Sequence, residues 1–342
     1  MSFHVPRCNR LLSVLTMCCA GCLTAFGEMA TNAPPPDLNQ LLESGTKFEK
    51  AAEDAKTPGR AADNYQKAIE QFSRAATVAP DSYRAHFLWG HSLYTTALHT
   101  ADRGQRRALI LAAREQYLTA ARCAGVDWLL YREWGAMLTN EIDLLAGSGA
   151  ERRAILQEAI NSLNAGLNLT RFSGERATIE RELGAALLLL AKSSPNSPGQ
   201  RALYKQAVEK FDSATKASAE ARTAKVFGLW GVALLEIGKG DNDRMMMRQA
   251  VERLQTALDR DAANMEFQYN LACAYALLDE PEAGMRHLKI CLDKDPDHMY
   301  YRAAAKDPDL ANLRSTPEYN EIFSDDSPVD PQAIIRSQIS DH

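Results

Sequence analysis

Small and large apolar side chains recur along this chain at helical spacing, and the whole arrangement then repeats. Ala113, Tyr117 and Ala120 stand at offsets of four and three. The same small–large–small stripe returns as Ala68/Phe72/Ala75, Ala159/Leu163/Gly166, Ala207/Phe211/Ala214 and Ala250/Leu254/Ala257. Those offsets place all three residues on one helical face. Upstream of each stripe stands a large residue followed by a small one: Trp89-Gly90, Trp134-Gly135, Leu183-Gly184, Trp230-Gly231 and Leu271-Ala272, with Ser44-Gly45 as a degenerate first copy. The small residues lie at 45, 90, 135, 184, 231 and 272, in steps of 45, 45, 49, 47 and 41. A large–small pair held at such a period is the signature of a repeat array. Each unit predicts two antiparallel helices that approach closely at the small residues, while the aromatic ring or leucine fills the remaining space. Breakers mark the turns between them: Thr57-Pro58-Gly59, Asp102-Arg103-Gly104, Gly147-Ser148-Gly149 and the proline-rich 193–199.

From Asn264 to Pro296 the pattern runs without insertion: Leu271, Ala272 and Tyr275 on the first helix, then Gly284, Leu288, Cys291 and the closing Pro296. This segment resembles the tetratricopeptide repeat (TPR), a helix-turn-helix of ~34 residues. The resemblance spans 37–323 and implies an all-α, right-handed TPR-type solenoid of about six helix-turn-helix repeats. The first four units depart from the family in one way. Their signature glycine and second-helix alanine are 23, 23, 24 and 23 residues apart, against 12 in the last unit and 19 in the fifth. Three extra turns shared by two helices predict helices of about 18 residues. Asp307-Pro308-Asp309-Leu310-Ala311-Asn312-Leu313-Arg314, followed by Pro317 and Tyr319, is similar to a segment that closes many bacterial TPR arrays. Leu310, Leu313, Tyr319, Ile322 and Phe323 are its expected lid, because a terminal repeat has an apolar face to cover.

The two ends differ from this array. Arg7 and Arg10 precede an apolar run from Leu11 to Phe26, and no acidic residue occurs before Glu28. That order reads as a signal peptide over 1–27, with Ala25-Phe26-Gly27 as a cleavage site. Cys22 after Cys19-Ala20-Gly21 leaves lipidation open, and organelle import is a third reading. A proline-rich linker is expected over 28–36, the array over 37–296, the closing segment over 297–323 and a disordered acidic tail over 324–342. Four of seven cysteines fall in the leader. Cys123, Cys273 and Cys291 are too few and too odd in number for a disulfide framework. Removing Arg7 and Arg10 with the leader leaves 37 basic residues against 44 acidic ones, which disfavours nucleic acid as a partner.

The search for reactive chemistry yields no catalytic set, metal site or cofactor motif. Gly238-Lys239-Gly240 lacks phosphate-loop spacing, and Gly147-Ser148-Gly149 lacks the strand of a nucleophile elbow. Asp241-Asn242-Asp243 starts like a calcium loop, but Met245 and Met247 fall on later ligand positions, so Asp243 reads as a helix cap. His86, His91 and His99 contain no pair four apart. Met245-Met246-Met247 is expected to enter the core. Asn168-Leu169-Thr170 is a glycosylation sequon only in a eukaryotic secreted chain. Trp89, Trp134 and Trp230 should wedge between helices, and Trp128, outside the register, should begin its helix near the surface.

The TPR resemblance implies that the first helices line a concave groove where extended peptides bind. Residues three and six before the signature small residue, and the one after it, then face the groove. They include Arg84, Phe87, His91, Arg132, Arg181, Lys225, Tyr269 and Cys273, and Tyr94 extends the set. Arg84, Arg132, Arg181 and Lys225 form a basic line suited to an acidic segment, unless Glu133 and Glu182 neutralise it. The lysine–asparagine carboxylate clamp of chaperone-binding TPRs is not reproduced. The expected function is a non-enzymatic, exported scaffold that binds a protein or peptide, with membrane contact only if Cys22 is lipidated. The alternative is a regulatory or substrate-holding subunit of an enzyme complex.

Overall fold

The structure, a computed structural model, describes residues 37–295 and 297–323. The leader with Cys22, the linker over 28–36, Pro296 and the tail lie outside the described residues.

Six antiparallel helix pairs follow one another. They are α1 (Leu38–Glu53) with α2 (Pro58–Val78), and α3 (Tyr83–Leu98) with α4 (Arg103–Ala120). Next come α5 (Trp128–Asn140), continued after Glu141 as the short α6 (Ile142–Leu145), against α7 (Gly149–Leu167), and α8 (Ser173–Lys192) with α9 (Gln200–Ala217). Then come α10 (Ala224–Asp241) with α11 (Arg244–Leu258), and α12 (Met265–Leu277) with α13 (Pro281–Asp293). The predicted lengthening is present: α2, α4, α7, α8 and α9 have 21, 18, 19, 20 and 18 residues, against 13 in each helix of the last pair. Side chains of Thr57, Ser82, Asp102, Asp127, Ser148, Thr223, Asp243 and Asn264 accept a backbone N–H of the following first turn, so each helix starts where its capping residue stands.

The glycine register explains how each pair closes. A Cβ built on Gly45 would lie 2.5 Å from the Phe72 ring, on Gly90 2.8 Å from Tyr117, and on Gly135 2.5 Å from Leu163. On Gly184 it would lie 2.7 Å from Phe211, and on Gly231 2.7 Å from Leu254. The large residue of every stripe therefore rests on the bare backbone of its partner helix, and each of them is buried with no exposed surface. Ser44-Gly45 is a true first copy by this test. Such close contact is stiff, because interiors are packed at crystal-like density.

A second device sews successive pairs together along the turn edge. Arg103 and Arg107, on the first turns of α4, donate to the carbonyls of Asp143 and Leu145 in α6 at 3.2 and 3.3 Å. Arg153 of α7 donates to Ser193 O, which caps α8, at 3.2 Å. Arg201 of α9 pairs with Asp241 at the end of α10, and Arg244 of α11 donates to Leu278 O at the end of α12 at 2.5 Å. In each case a guanidinium sits at the negative end of a helix dipole; all but Arg201, which binds the Asp241 carboxylate, satisfy backbone carbonyls there. Arg106 adds two bonds of 2.6 and 2.8 Å to buried Glu141, the residue between α5 and α6.

After α13 come α14 (Met299–Ala304), a 3-10 segment (Pro308–Ser315) and α15 (Pro317–Phe323). Leu310, Leu313 and Tyr319 are buried, and Phe323 stacks on Tyr301 and Tyr319 at 4.5 and 4.2 Å. No described helix is long and apolar enough to cross a membrane.

Candidate functional site

The first helices of consecutive pairs touch along one face: α3 meets α5, α5 meets α8, α8 meets α10, and α10 meets α12. Lys225 in the first turn of α10 reaches Asn140 at the end of α5, two pairs earlier, at 3.4 Å.

The expected groove residues divide into three groups. Arg84 and Lys225 are exposed, and Phe87 and His91, on α3 with Arg84, are half-buried. The Phe87 ring stacks on Tyr83 at 5.7 Å and lies 6.3 Å from His91 and 6.2 Å from Tyr117. Arg132 and Arg181 are half-buried and each pairs with its sequence neighbour: Arg132 with Glu133 at 2.6 Å and Arg181 with Glu182 at 2.8 Å. The basic line is thus neutralised at two of its four members. The remaining three do not line open surface. Tyr94 is buried, hydrogen-bonded to Asn140, and burial pushes its phenol up to about 12. Tyr269 donates to Asp307 Oδ2 at 2.8 Å, Cys273 lies 3.9 Å from the same oxygen, and Lys239 binds Asp309 at 2.5 Å. The closing segment therefore covers the last repeats of this face. Burial and Asp307 together push the Tyr269 phenol and the Cys273 thiol well up.

Between α1, α3 and α5 the floor holds polar groups without partners. Tyr117 is wholly buried, yet its hydroxyl makes no hydrogen bond; His91 Nδ1 and Arg132 Nε are likewise buried and unpaired. Glu49 from α1 accepts the Ser92 hydroxyl, and its carboxyl is raised by desolvation against that bond and the nearby His91. Tyr117 is pushed far above the phenol range by burial, with Glu133 and Tyr94 adding to it. Unpaired buried polar atoms are costly in a folded chain, and these three are enclosed within the second and third repeats. Spacing alone gave no sign of Tyr117, because it belongs to a second-helix stripe and reaches the first-helix face only through the opening at Gly90.

The other candidates have structural roles. His86 bridges Gln116 Oε1 and Pro80 O at 2.9 Å each, and His99 stacks on Tyr65 at 5.4 Å. Asp243 caps α11 by accepting from Met245 and Met246, and Ser148 caps α7. The methionine run enters the core over one turn: Met245 is 71% exposed on the outer side, Met246 packs half-buried against the core, and Met247 is buried. Trp134 and Trp230 are buried, Trp89 is half-buried, and Trp128 opens α5. Among the described residues no three His, Cys, Asp or Glu side chains are grouped to hold a metal.

No family model matches the chain, and no curated protein matches it in sequence. Solved structures do. PilF of Pseudomonas aeruginosa aligns with a TM-score of 0.52 at 14% identity, over 76% of this chain and 96% of that one. A chain of the APC/C hetero-tetramer Cut9–Hcn1 aligns at 0.47 and 18% identity, over 78% of this chain and 46% of that one. MamA of Desulfovibrio magneticus aligns at 0.43 and 16% identity, over 63% and 97%. The likeness to PilF concerns the fold: an all-α solenoid of the TPR type.

Proposed function

We propose that this TPR-type solenoid is an exported, non-catalytic scaffold that binds an extended segment of a partner protein on the first-helix face of its second and third repeats. The observation that carries this reading is the half-buried pair Phe87 and His91, whose rings lie 6.3 Å apart on this face next to the exposed Arg84 and offer an apolar contact with a cation at its edge. Arg84 and Lys225, the two cations of the basic line that no carboxylate neutralises, favour acidic side chains on that segment.

A photo-crosslinking residue at Arg84 is expected to trap a partner protein, and one at Glu209, exposed on α9, is expected not to. Equal trapping at both positions, or none at Arg84, would remove this reading. Export is tested separately by the intact mass of the purified protein. Cleavage near Gly27, lipid on Cys22 and an uncleaved leader give three different masses.

A further inference from the structure

A cavity of about 240 Å³ opens beside the end of α5, between the first turns of α4 and the short α6. Its lining includes Arg103, Arg106, Asn140, Glu141, Asp143 and Leu144. Among the described first helices only α5 is interrupted, and the residue at the break is the buried Glu141. Glu141 stands six positions after the packing residue of its helix, where the later repeats carry Leu190, Ile237 and Leu278, all buried. A buried ion pair is often no more stabilising than a well-packed apolar residue. The Arg106–Glu141 pair does something that a leucine at this register does not: it holds a guanidinium on the cavity wall.

Charge around this space is not balanced. Arg103, Arg106, Arg107, Arg152 and Lys225 lie on or bond to its walls, against the carboxylates of Asp102, Glu141 and Asp143. All three carboxylates are engaged: Glu141 by Arg106, Asp143 by Arg152, and Asp102 as the cap of α4, accepting the Gln105 N–H at 2.7 Å. Arg103 and Lys225 have no carboxylate partner. Arg103 donates a single bond to the Asp143 carbonyl, Lys225 reaches only the Asn140 amide oxygen, and both side chains are exposed. Arg106 makes its two bonds through Nη2 and keeps 34% of its side chain exposed, which leaves Nη1 to donate. At roughly 30 Å³ per water the cavity has space for about eight waters, enough for one acidic side chain with part of its hydration.

We propose that this cavity receives the carboxylate of an aspartate or glutamate side chain from the bound partner segment, held by Arg103 and Arg106 with Lys225 beside it. Guanidinium groups suit this task, because their planar fork matches a carboxylate and a charged hydrogen bond is stronger than a neutral one. The inference rests on the first-helix face being the partner face, and it adds where an acidic side chain of that segment is gripped.

The test uses the full chain with 15N-labelled arginine, titrated with the capped peptide acetyl-Gly-Glu-Gly-amide and with its glutamine counterpart. The expected result is a saturable shift of the Arg103 and Arg106 Nε–H resonances, with binding of the uncharged glutamine peptide at least about tenfold weaker. Arg60, exposed on the first turn of α2 and away from the cavity, should not move. Arg103→Gln and Lys225→Gln change exposed residues, so the fold is kept, and each should weaken the glutamate peptide at least about threefold. Shifts that do not saturate, an equal response at Arg60, an equal response to the glutamine peptide, or undiminished binding by both variants overturns the proposal. Failure of the partner reading looks different. A glutamate peptide that binds while position 84 traps no protein supports the carboxylate site and removes only the partner segment as its source. A trapped partner with a peptide that moves neither arginine overturns the cavity and leaves the face.

Discussion

Gly135→Ala adds one methyl group to the array, and its cost can be worked from the contacts around it. The new Cβ would lie 2.5 Å from Leu163 Cγ, 2.8 Å from Leu163 Cδ2 and 3.1 Å from the Ala159 carbonyl. Carbon atoms rest at roughly 3.5–4.0 Å, so about 1 Å must be found. Leu163 cannot supply it by swinging a free end, since the closest atom is its branch carbon and the side chain is fully buried. The alternative is to part α5 from α7. Overpacking of this kind costs about 1–3 kcal/mol, partly offset by the ~1 kcal/mol that alanine gains over glycine within a helix. Gly240→Ala is the control, because nothing lies within 4 Å of its Cβ position. The two substitutions are chemically identical, yet they should differ in sign: a net loss of up to about 2 kcal/mol at 135 and a gain of a few tenths at 240. Urea unfolding followed by circular dichroism reads both. Leu163→Ala alone should cost about 2–5 kcal/mol, and in the Gly135→Ala background less, because the methyl then occupies the space vacated. The reasoning is refuted if Gly135→Ala is as stable as Gly240→Ala, or if the Gly135 and Leu163 effects add within about 0.5 kcal/mol. Gly135→Leu, which no rotamer accommodates, should break cooperative unfolding of the repeats on either side.

Three further outcomes are expected. Glu49→Gln should raise the melting temperature at neutral pH: burial raises the folded carboxyl above its unfolded value, so its contribution is fully present below the unfolded pKa and is lost as pH rises through the folded one. The advantage of the variant should therefore vanish in acid, near pH 4, where the unfolded carboxyl also holds its proton. Tyr117→Phe removes a buried hydroxyl that has no partner; stability should hold or rise by up to about 1 kcal/mol in chemical denaturation. Arg106→Ala strands the buried Glu141 carboxylate, and a loss of about 1.5–3 kcal/mol is expected by chemical denaturation, with Glu141→Gln in the same background restoring part of it.

The candidate site was only partly legible in the sequence. The stripe of α3 assigned Arg84, Phe87 and His91 to the first-helix face, because helical periodicity gives each residue a face, and the structure leaves Arg84 exposed and the other two half-buried. It also assigned Tyr94 there. A face that is open on one helix is closed where the next helix arrives, and Asn140 of α5 meets the Tyr94 phenol. Tyr269 and Cys273 held the right register too, but Asp307, more than thirty residues later, lies against both. The neutralising partners of Arg132 and Arg181 stand next to them in the chain and could be anticipated.

What the sequence determined by itself was the unit: two helices joined at a small residue, six times, longer in the first repeats than in the last. That follows from local rules, since spacing sets the buried stripe and bare backbone at Gly45, Gly90, Gly135, Gly184 and Gly231 admits one large side chain each. Tertiary structure decided how the units meet. Their stacking brings Lys225 to Asn140, two pairs away, and sets Arg201 against Asp241 of the next pair. It also lays Arg253 over the Trp230 indole and brings Arg114 and the Trp134 indole N–H to the same Glu158 carboxylate. Such partners lie some twenty to eighty residues apart, where no periodicity connects them, and they are fixed only when the repeats have stacked.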